Sequence, residues 1–308
     1  MRSWYVIANP ASGRASGTAT AARITQALGA DGVKHELVTS RESGDIVELA
    51  RAACLAGHRH IAIAGGDGSA HHAINGILGA GLADTREVTL AMLPLGTGND
   101  WARTLGIPRR LEPACRLLGA GLPLAHDVGA VSLRHAGQNV THYFINAAGV
   151  GLDAHVVRLV RERFNGRWRY VAGLLLGLRS FTTPELTLQA PGIEHSGATL
   201  VVFVGIGRHL GGGMLVAPEA CVDDGLFELT IVGKPGTAQL LANLPRLFLG
   251  TLARSRWVKV ARVASLAISG DTGIEADGEP LGRTPATFRI LPRALQVLVP
   301  ASRWRAPS

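Results

Sequence analysis

The stretch His58–Gly79 constrains this chain more than any other. Ile61, Ala62, Ile63 and Ala64 form a short apolar run, the pattern of a strand buried in a parallel sheet. Gly65, Gly66, Asp67 and Gly68 then break it. Ser69 is placed to cap a helix whose buried face is Ala70, Ile74, Ile77 and Leu78. Strand, glycine turn and helix start together make an anion site. The glycines let backbone N–H groups approach closely, and the helix dipole adds about half a positive charge at that end. Asp67 is the odd member, because a carboxylate among glycines repels phosphate unless a divalent cation lies between them. As a bare motif the stretch reads equally as a plain strand–turn–helix with Asp67 as a turn residue.

The surrounding half of the chain repeats the pattern. Trp4–Ala8 reads as a strand and runs into Asn9, Pro10, Ala11, Ser12, Gly13 and Arg14. Asn9, Ser12 and the N–H groups of this turn could contact a nucleotide, and Arg14 a phosphate. Residues 18–30 have helical periodicity, His35–Thr39 is a second strand ending at Thr39 and Ser40, and Asp45–Leu55 is a helix. Val88–Leu93 is the strand after the central one. It ends in Pro94, Leu95, Gly96, Thr97, Gly98, Asn99 and Asp100, and residues 101–105 open another helix. Strands alternating with helices predict a three-layer α/β domain on a parallel sheet. Such a sheet puts all four polar or glycine turns on one rim, where open α/β sheets bind ligands.

Length and charge bound the rest. The 308 residues allow about two domains. At 47% hydrophobic and 18% charged the chain is globular. A net charge of +8 favours an anionic partner: nucleotide, membrane surface or nucleic acid. Only 5% of residues are aromatic, which weighs against single-stranded nucleic acid, whose bases need stacking platforms. Cys54, Cys115 and Cys221 fit neither a zinc spacing nor a disulfide framework and point to a reducing cytoplasm. The N-terminus reads as a strand rather than a signal peptide, and no stretch reaches the ~18 apolar residues of a membrane span.

After about residue 122 the alternation changes. Val131–Arg134 and Thr141–Asn146 resemble a hairpin, and strands are expected at 186–190, 198–206, 226–232, 257–260, 264–269, 273–276 and 286–291. These predict a second, mostly antiparallel β-rich domain, giving domains 1–122 and 123–308 with a boundary signalled only by Gly119–Pro123. Residues 156–181 read as the main helical insertion. Arg158, Arg161, Arg163, Arg167 and Arg169 crowd its first half with Trp168 and Tyr170, and Leu174, Leu175, Leu176, Leu178 and Phe181 fill its second. That block suits contact with anionic lipid, or else a core helix with a solvated basic end. Arg246, Arg254, Arg256, Lys259 and Arg262 could extend the basic face. The turn 217–226 carries Asp223 and Asp224 before Gly225, and suits a hard divalent cation or a simple hairpin. Glu275, Asp277 and Glu279 alternate along what reads as an extended segment, so they share one side. A carboxylate there could take a proton from an attacking hydroxyl. His71 and His72 read as surface or supporting residues.

Asn9-Pro-Ala-Ser-Gly13, Gly65-Gly-Asp-Gly-Ser69 and Pro94-Leu-Gly-Thr-Gly-Asn-Asp100, in this order and spacing, resemble the diacylglycerol/sphingosine kinase catalytic family, and most of all its compact bacterial lipid-kinase branch. The resemblance covers nearly the whole chain, with one departure: the family usually has threonine where Ser69 stands. It implies an active site in the cleft between the two domains. Magnesium ATP would be held by Asn9, Pro10, Ala11, Ser12, Gly13, Thr39, Gly65, Gly66, Asp67, Gly68, Ser69, Thr97, Asn99 and Asp100, with Asp67 and Asp100 organising the catalytic magnesium. Glu279 would be the proton acceptor, supported by Asp277. A structural magnesium would take Asp224 and the carbonyls of Cys221 and Leu226, with Asp127 linking the two regions. The substrate would be a diacylglycerol-like or sphingoid-like lipid, the protein cytoplasmic and peripheral on the inner face of the membrane, with no nucleic-acid partner and room for a homodimer. An NAD kinase-like enzyme and a non-catalytic nucleotide-binding regulator are the alternatives. A Rossmann dehydrogenase is not, since no Gly-x-Gly-x-x-Gly follows the first strand.

Overall fold

A computed structural model describes residues 2–12, 17–42, 44–163 and 169–303. The chain forms two compact units, Met1–Val128 with Arg293–Ser308, and Gly129–Pro292. In the first, β1 (Trp4–Ala8), α1 (Gly17–Ala30), β2 (His35–Thr39), α2 (Asp45–Leu55), β3 (His60–Gly65), α3 (Asp67–Leu78), β4 (Thr89–Pro94), α4 (Asp100–Leu105) and α5 (Leu111–Ala120) follow in order. β2, β1, β3 and β4 are neighbours in that order and all parallel. Their alternating side chains reach two faces. Val6, Ala8, Ala62, Ala64, Ala91 and Leu93 pack with Ile24 and Leu28 of α1 and Leu111 and Leu118 of α5. The intervening Ile7, Ile61, Ile63, Leu90 and Met92 are also buried. The strands therefore read as continuous apolar runs, as a sheet covered on both faces requires.

Gly119–Pro123 is a helix-to-strand turn: α5 ends at Ala120, and β5 (Leu122–His135) starts two residues later. β5 carries the chain from the first unit into the second, whose limits fall at Val128 and Gly129. There follow β6 (Gln138–Phe144), β7 (Ala147–Gly151), α6 (Leu152–Arg163), α7 (Arg169–Ser180), β8 (Glu185–Ala190), β9 (Ile193–Gly205), β10 (His209–Leu210), β11 (Met214–Leu215), β12 (Phe227–Gly233), α8 (Thr237–Leu249), β13 (Val258–Val263), β14 (Ser265–Ser269), β15 (Gly273–Ala276), β16 (Glu279–Arg283) and β17 (Ala286–Val299). One antiparallel run is β16, β15, β7, β9, β12 and β13. A second is β9, β8, β14 and the start of β17. β9 is long enough to serve both. Phe144, Val202, Leu229, Ile268 and Phe288 belong to the common core of the two runs, while α6, α7 and α8 pack against Val201, Phe203 and Val232 in a separate cluster.

Several expected elements change. The helical insertion is two helices, and residues 164–168, including Arg167 and Trp168, lie outside the described residues, as do Gly13 and Arg14. The last strand does not stop at 291. It runs on to Val299, and Gln296 and Val297 pair in parallel with Thr89 and Leu90 of β4. Its first half alternates in burial and its second half, Leu295–Val299, is almost wholly buried, while Pro292 and Arg293 interrupt the apolar pattern between them.

α2 and α3 cross closely at Gly76, where an added Cβ would overlap the Val47 carbonyl oxygen and lie 3.0 Å from the Ala50 Cβ. Gly76→Ala gains helix propensity but forces two buried helices apart. The expected net result is a loss of about 1–3 kcal/mol, read from the denaturant midpoint. A variant at least as stable as the parent would show that the helices separate freely.

Candidate active site

Because the four strands of the first unit are parallel, the segments after β1, β2, β3 and β4 leave the same edge. The turns after β3 and β4 touch back to back. A Cβ on Gly96 would lie 2.6 Å from the Gly66 Cα, and one on Gly66 3.3 Å from the Gly96 Cα. Gly96 thus has no room for a side chain, and at Gly66 one would fit only if the facing loop gave way by a few tenths of an ångström. Gly65 is equally tight, since a Cβ there would overlap the Ser69 side chain.

Ser69 does not cap the helix. α3 begins at Asp67 with Gly66 as its N-cap residue, and the Ser69 N–H already donates to the Gly66 carbonyl at 3.0 Å. Gly66 is extended, as an N-cap residue is, and the helix starts three residues earlier than it would with Ser69 as its cap. The Ser69 hydroxyl instead accepts from Asn9 Nδ2 at 2.9 Å, and Asn9 Oδ1 accepts the Ala11 N–H at 3.0 Å. Asn9, buried at the end of β1, thus fixes both its own turn and the start of α3. Pro10 and Ser12 in that turn are half-buried, whereas Ala11, Thr39 and Thr97 are exposed on their loops. Gly68 sits half-buried in the first turn of α3. His71 is buried rather than on the surface, one turn further along the same helix; His72 is half-buried.

Asp67 is not a plain turn residue. Its Oδ2 accepts the Asp100 N–H at 3.1 Å and its Oδ1 the Trp101 N–H at 3.2 Å, so it anchors the first turn of α4 as a capping carboxylate. Asn99 adopts the left-handed region (φ 52°) to bring α4 into place, and its Nδ2 donates to the Gly96 carbonyl at 2.7 Å. Its buried Oδ1 has no hydrogen-bond partner among the described residues. Asp100 is buried and lies 3.8 Å from the Arg103 guanidinium. A Cβ on Gly98 would lie 3.2 Å from Asp67 Oδ2 and 3.8 Å from Asp100 Oδ2. Two carboxylate oxygens therefore border one notch, which the absent side chain of Gly98 leaves open. Oxygen donors around a notch of this kind fit a hard divalent cation.

In the second unit, Glu275, Asp277 and Glu279 do not lie along one extended segment. Ala276 pairs with Glu279, and Asp277 (φ 51°) and Gly278 (φ 85°) are both left-handed. That is a two-residue type I′ hairpin, for which Asp-Gly is a preferred sequence. Asp277 turns inward, and its carboxylate accepts the N–H groups of Ile145, Asn146 and Ala147 at 3.0–3.2 Å. Glu279, the first residue after the turn, is held by Arg161 Nη2 at 2.6 Å from its Oε2. Glu275 is fully buried against Asp153 at the start of α6. Neither Asp153 nor Arg161 is in a sequence motif; the signal for Asp153 was an acid directly after the apolar run Ala147–Leu152.

In the loop 217–226, Leu226 meets Asp224 through its N–H, 3.0 Å from Oδ1, and the other oxygen of Asp224 is paired with the Arg262 guanidinium. Cys221 Sγ donates to Asp223 Oδ1 at 3.0 Å. Asp224 thus has a positive partner of its own in Arg262. Among the described residues no three His, Cys, Asp or Glu side chains gather as for a metal. Asp127, fully buried, accepts the Arg293 N–H at 2.7 Å, which ties β17 to β5.

Comparison with known proteins agrees with both units. The diacylglycerol kinase catalytic domain model matches residues 3–131, and the YegS C-terminal NAD kinase beta sandwich-like domain model matches residues 146–299. A Pseudomonas putida protein named "Probable lipid kinase YegS-like" is 35% identical over 84% of this chain and 83% of its own length. One of the same name from Yersinia enterocolitica is 27% identical over 94% of this chain and 95% of its own. The fold matches a crystal structure titled as a diacylglycerol kinase from Bacillus anthracis, with a TM-score of 0.75 at 20% identity over 98% of each chain. A parallel rim built on Gly65–Ser69, joined to a β-rich unit that presents Glu279 after an Asp-Gly turn, makes this chain a member of the YegS-like lipid kinase family with a diacylglycerol kinase catalytic domain.

Proposed function

We propose that this lipid kinase transfers the γ-phosphoryl group of ATP to a hydroxyl of a diacylglycerol-like or sphingoid-like lipid, with magnesium. The observation that carries the nucleotide half is the pair of carboxylates, Asp67 and Asp100, facing the Gly98 notch on the rim of glycine turns. Two acids beside an anion site accept a polyphosphate only with a cation between them. Asp67 and Asp100 would hold magnesium, which when bound neutralises charge on the transferring phosphoryl group. Gly66 and Gly96 keep side chains away from the phosphates, and the buried Asn99 Oδ1 is an acceptor for a ligand N–H or water.

The lipid half rests on the second unit. A slender cavity of about 70 Å³ runs between α6, α7, α8 and the sheet, lined by Leu152, Val156, Leu174, Leu178, Phe203 and Leu247. Its walls are those of an acyl-chain site. Glu279 takes the proton from the lipid hydroxyl, oriented by the ion pair with Arg161.

The lipid is met at a membrane surface. No described helix is long and apolar enough to cross a bilayer. Phe248 is 53% and Leu249 69% exposed at the end of α8. From Thr237 to Gly270 the chain has no Asp or Glu, while Arg246, Arg254, Arg256, Lys259 and Arg262 all fall in it. Exposed apolar residues within an unbroken basic stretch suit an anionic leaflet. The expected contact through 156–181 is narrower: Arg161 is engaged by Glu279, Leu174 and Leu178 line the cavity, and Leu175 is exposed.

Two outcomes follow. With labelled ATP and separate acceptors (diacylglycerol, a sphingoid base, NAD), label should enter a lipid. Glu279→Gln should then lower kcat on the order of a hundredfold while nucleotide affinity stays constant; a kcat within about threefold of the parent removes Glu279 as the base. In sedimentation with phosphatidylglycerol-containing vesicles, Phe248→Glu with Leu249→Glu should weaken binding by about tenfold or more. Equal binding by the variant would place the membrane contact elsewhere.

A further inference from the structure

Glu275 belongs to none of the three motifs, yet it is fully buried two residues before the Asp-Gly turn. It pairs in the sheet with Gly149 of β7. A Cβ on Gly149 would overlap the Asp153 carboxyl. The missing side chain is thus a notch in which the Asp153 carboxyl, from the first turn of α6, lies over β7 beside Glu275. Glu275 Oε2 accepts the Gly278 N–H at 2.8 Å. Glu275 Oε1 and Asp153 Oδ2 are buried and have no hydrogen-bond partner among the described residues. Two neighbouring buried carboxyls left in this state are relieved by a proton between them.

The same two elements meet again at the far end of α6, where Arg161 grips Glu279. α6 is therefore fastened to the β15–β16 hairpin at two points, one on each side of the turn. We propose that Asp153 and Glu275 share one proton, and that Glu275 is thereby a positioning residue which holds α6 and its Arg161 where Glu279 must stand. This rests on the reading of Glu279 as proton acceptor.

Burial, and then the charge of Asp153, hold Glu275 well above the usual carboxylate range, and burial pushes Asp153 up to about 6. The other charged groups nearby are few. Asp277 adds to the rise from the same hairpin, β7 carries no titratable side chain, and Arg283 of β16 is bonded to Asp271. The proton is bound more tightly in the folded chain than in the unfolded one. The pair's contribution is thus full below the ordinary carboxylate range and falls as pH rises through the raised values.

The test combines infrared spectroscopy with kinetics. The parent enzyme at neutral pH should show the C=O stretch of a neutral, buried carboxylic acid. The band should persist in Glu279→Gln and vanish in Glu275→Gln. The parent's kcat should fall as pH rises through the raised values of the pair; glutamine keeps a hydrogen-bond donor toward Asp153, so Glu275→Gln should retain kcat within about threefold and show no such fall. Glu275→Ala should lower kcat about tenfold with the nucleotide KM unchanged. If Glu275→Ala does not fold, the band and the glutamine variant still decide. Absence of the band in the parent, or equal losses in the glutamine and alanine variants, overturns the shared proton. A fully active Glu279→Gln that keeps the band would instead remove the base and leave the pair standing.

Discussion

Gly66 and Gly96 approach so closely that a Cβ on Gly96 would come within 2.6 Å of its neighbour's Cα, and the nucleotide rim depends on that approach. Because the turns after β3 and β4 meet there, the Asp67 carboxylate reaches across to the first two amides of α4. The same contact brings Asp100 round to the Gly98 notch and lets Asn99 close on the Gly96 carbonyl. A side chain on Gly96 would separate the two loops, and with them the two acids. Asp67 holds α4 by its carboxylate, and under the proposed function the remaining lone pairs of the same group are the ones that face the cation.

Much of this was legible in the sequence. Strands 4–8, 35–39 and 273–276 and helix 45–55 fall where the sequence reading put them; for 4–8 the reason is that a strand covered on both faces must be an unbroken apolar run. The kinase family was legible from three loops, Asn9–Gly13, Gly65–Ser69 and Pro94–Asp100, whose order and spacing resemble the family's motifs. What failed was local and had local causes. Ser69 looked like a cap because serine usually is one, but a hydroxyl three residues into a helix can be taken by a distant partner, and Asn9 takes it. The acidic run 275–279 looked extended because its acids alternate, but Asp277 and Gly278 both accept a left-handed backbone and so fold the run back on itself.

The pairings across long sequence distances were not legible at all. Nothing near Arg161 announces Glu279, and nothing near Asp153 announces Glu275; each pair is joined only by the packing of α6 on the β15–β16 hairpin. The loop 217–226 holds another pairing of this kind. Its acids suggest a metal, and Asp224 also meets an arginine that the linear pattern could not show to be near. A guanidinium and a divalent ion meet the same electrostatic need, and composition cannot tell them apart.

The last strand has a consequence for the edge of the parallel sheet. β4 is a neighbour of β3 on one side and takes its other partner, Gln296 and Val297, from a strand that follows the whole second unit in sequence. An unpaired edge of an apolar parallel sheet is a template for association with other chains. The second half of β17 therefore works as a cover as well as a strand: it takes up the backbone groups of β4 that would otherwise recruit a neighbour, and the first unit owes its closed border to residues beyond Pro292, where the second unit ends.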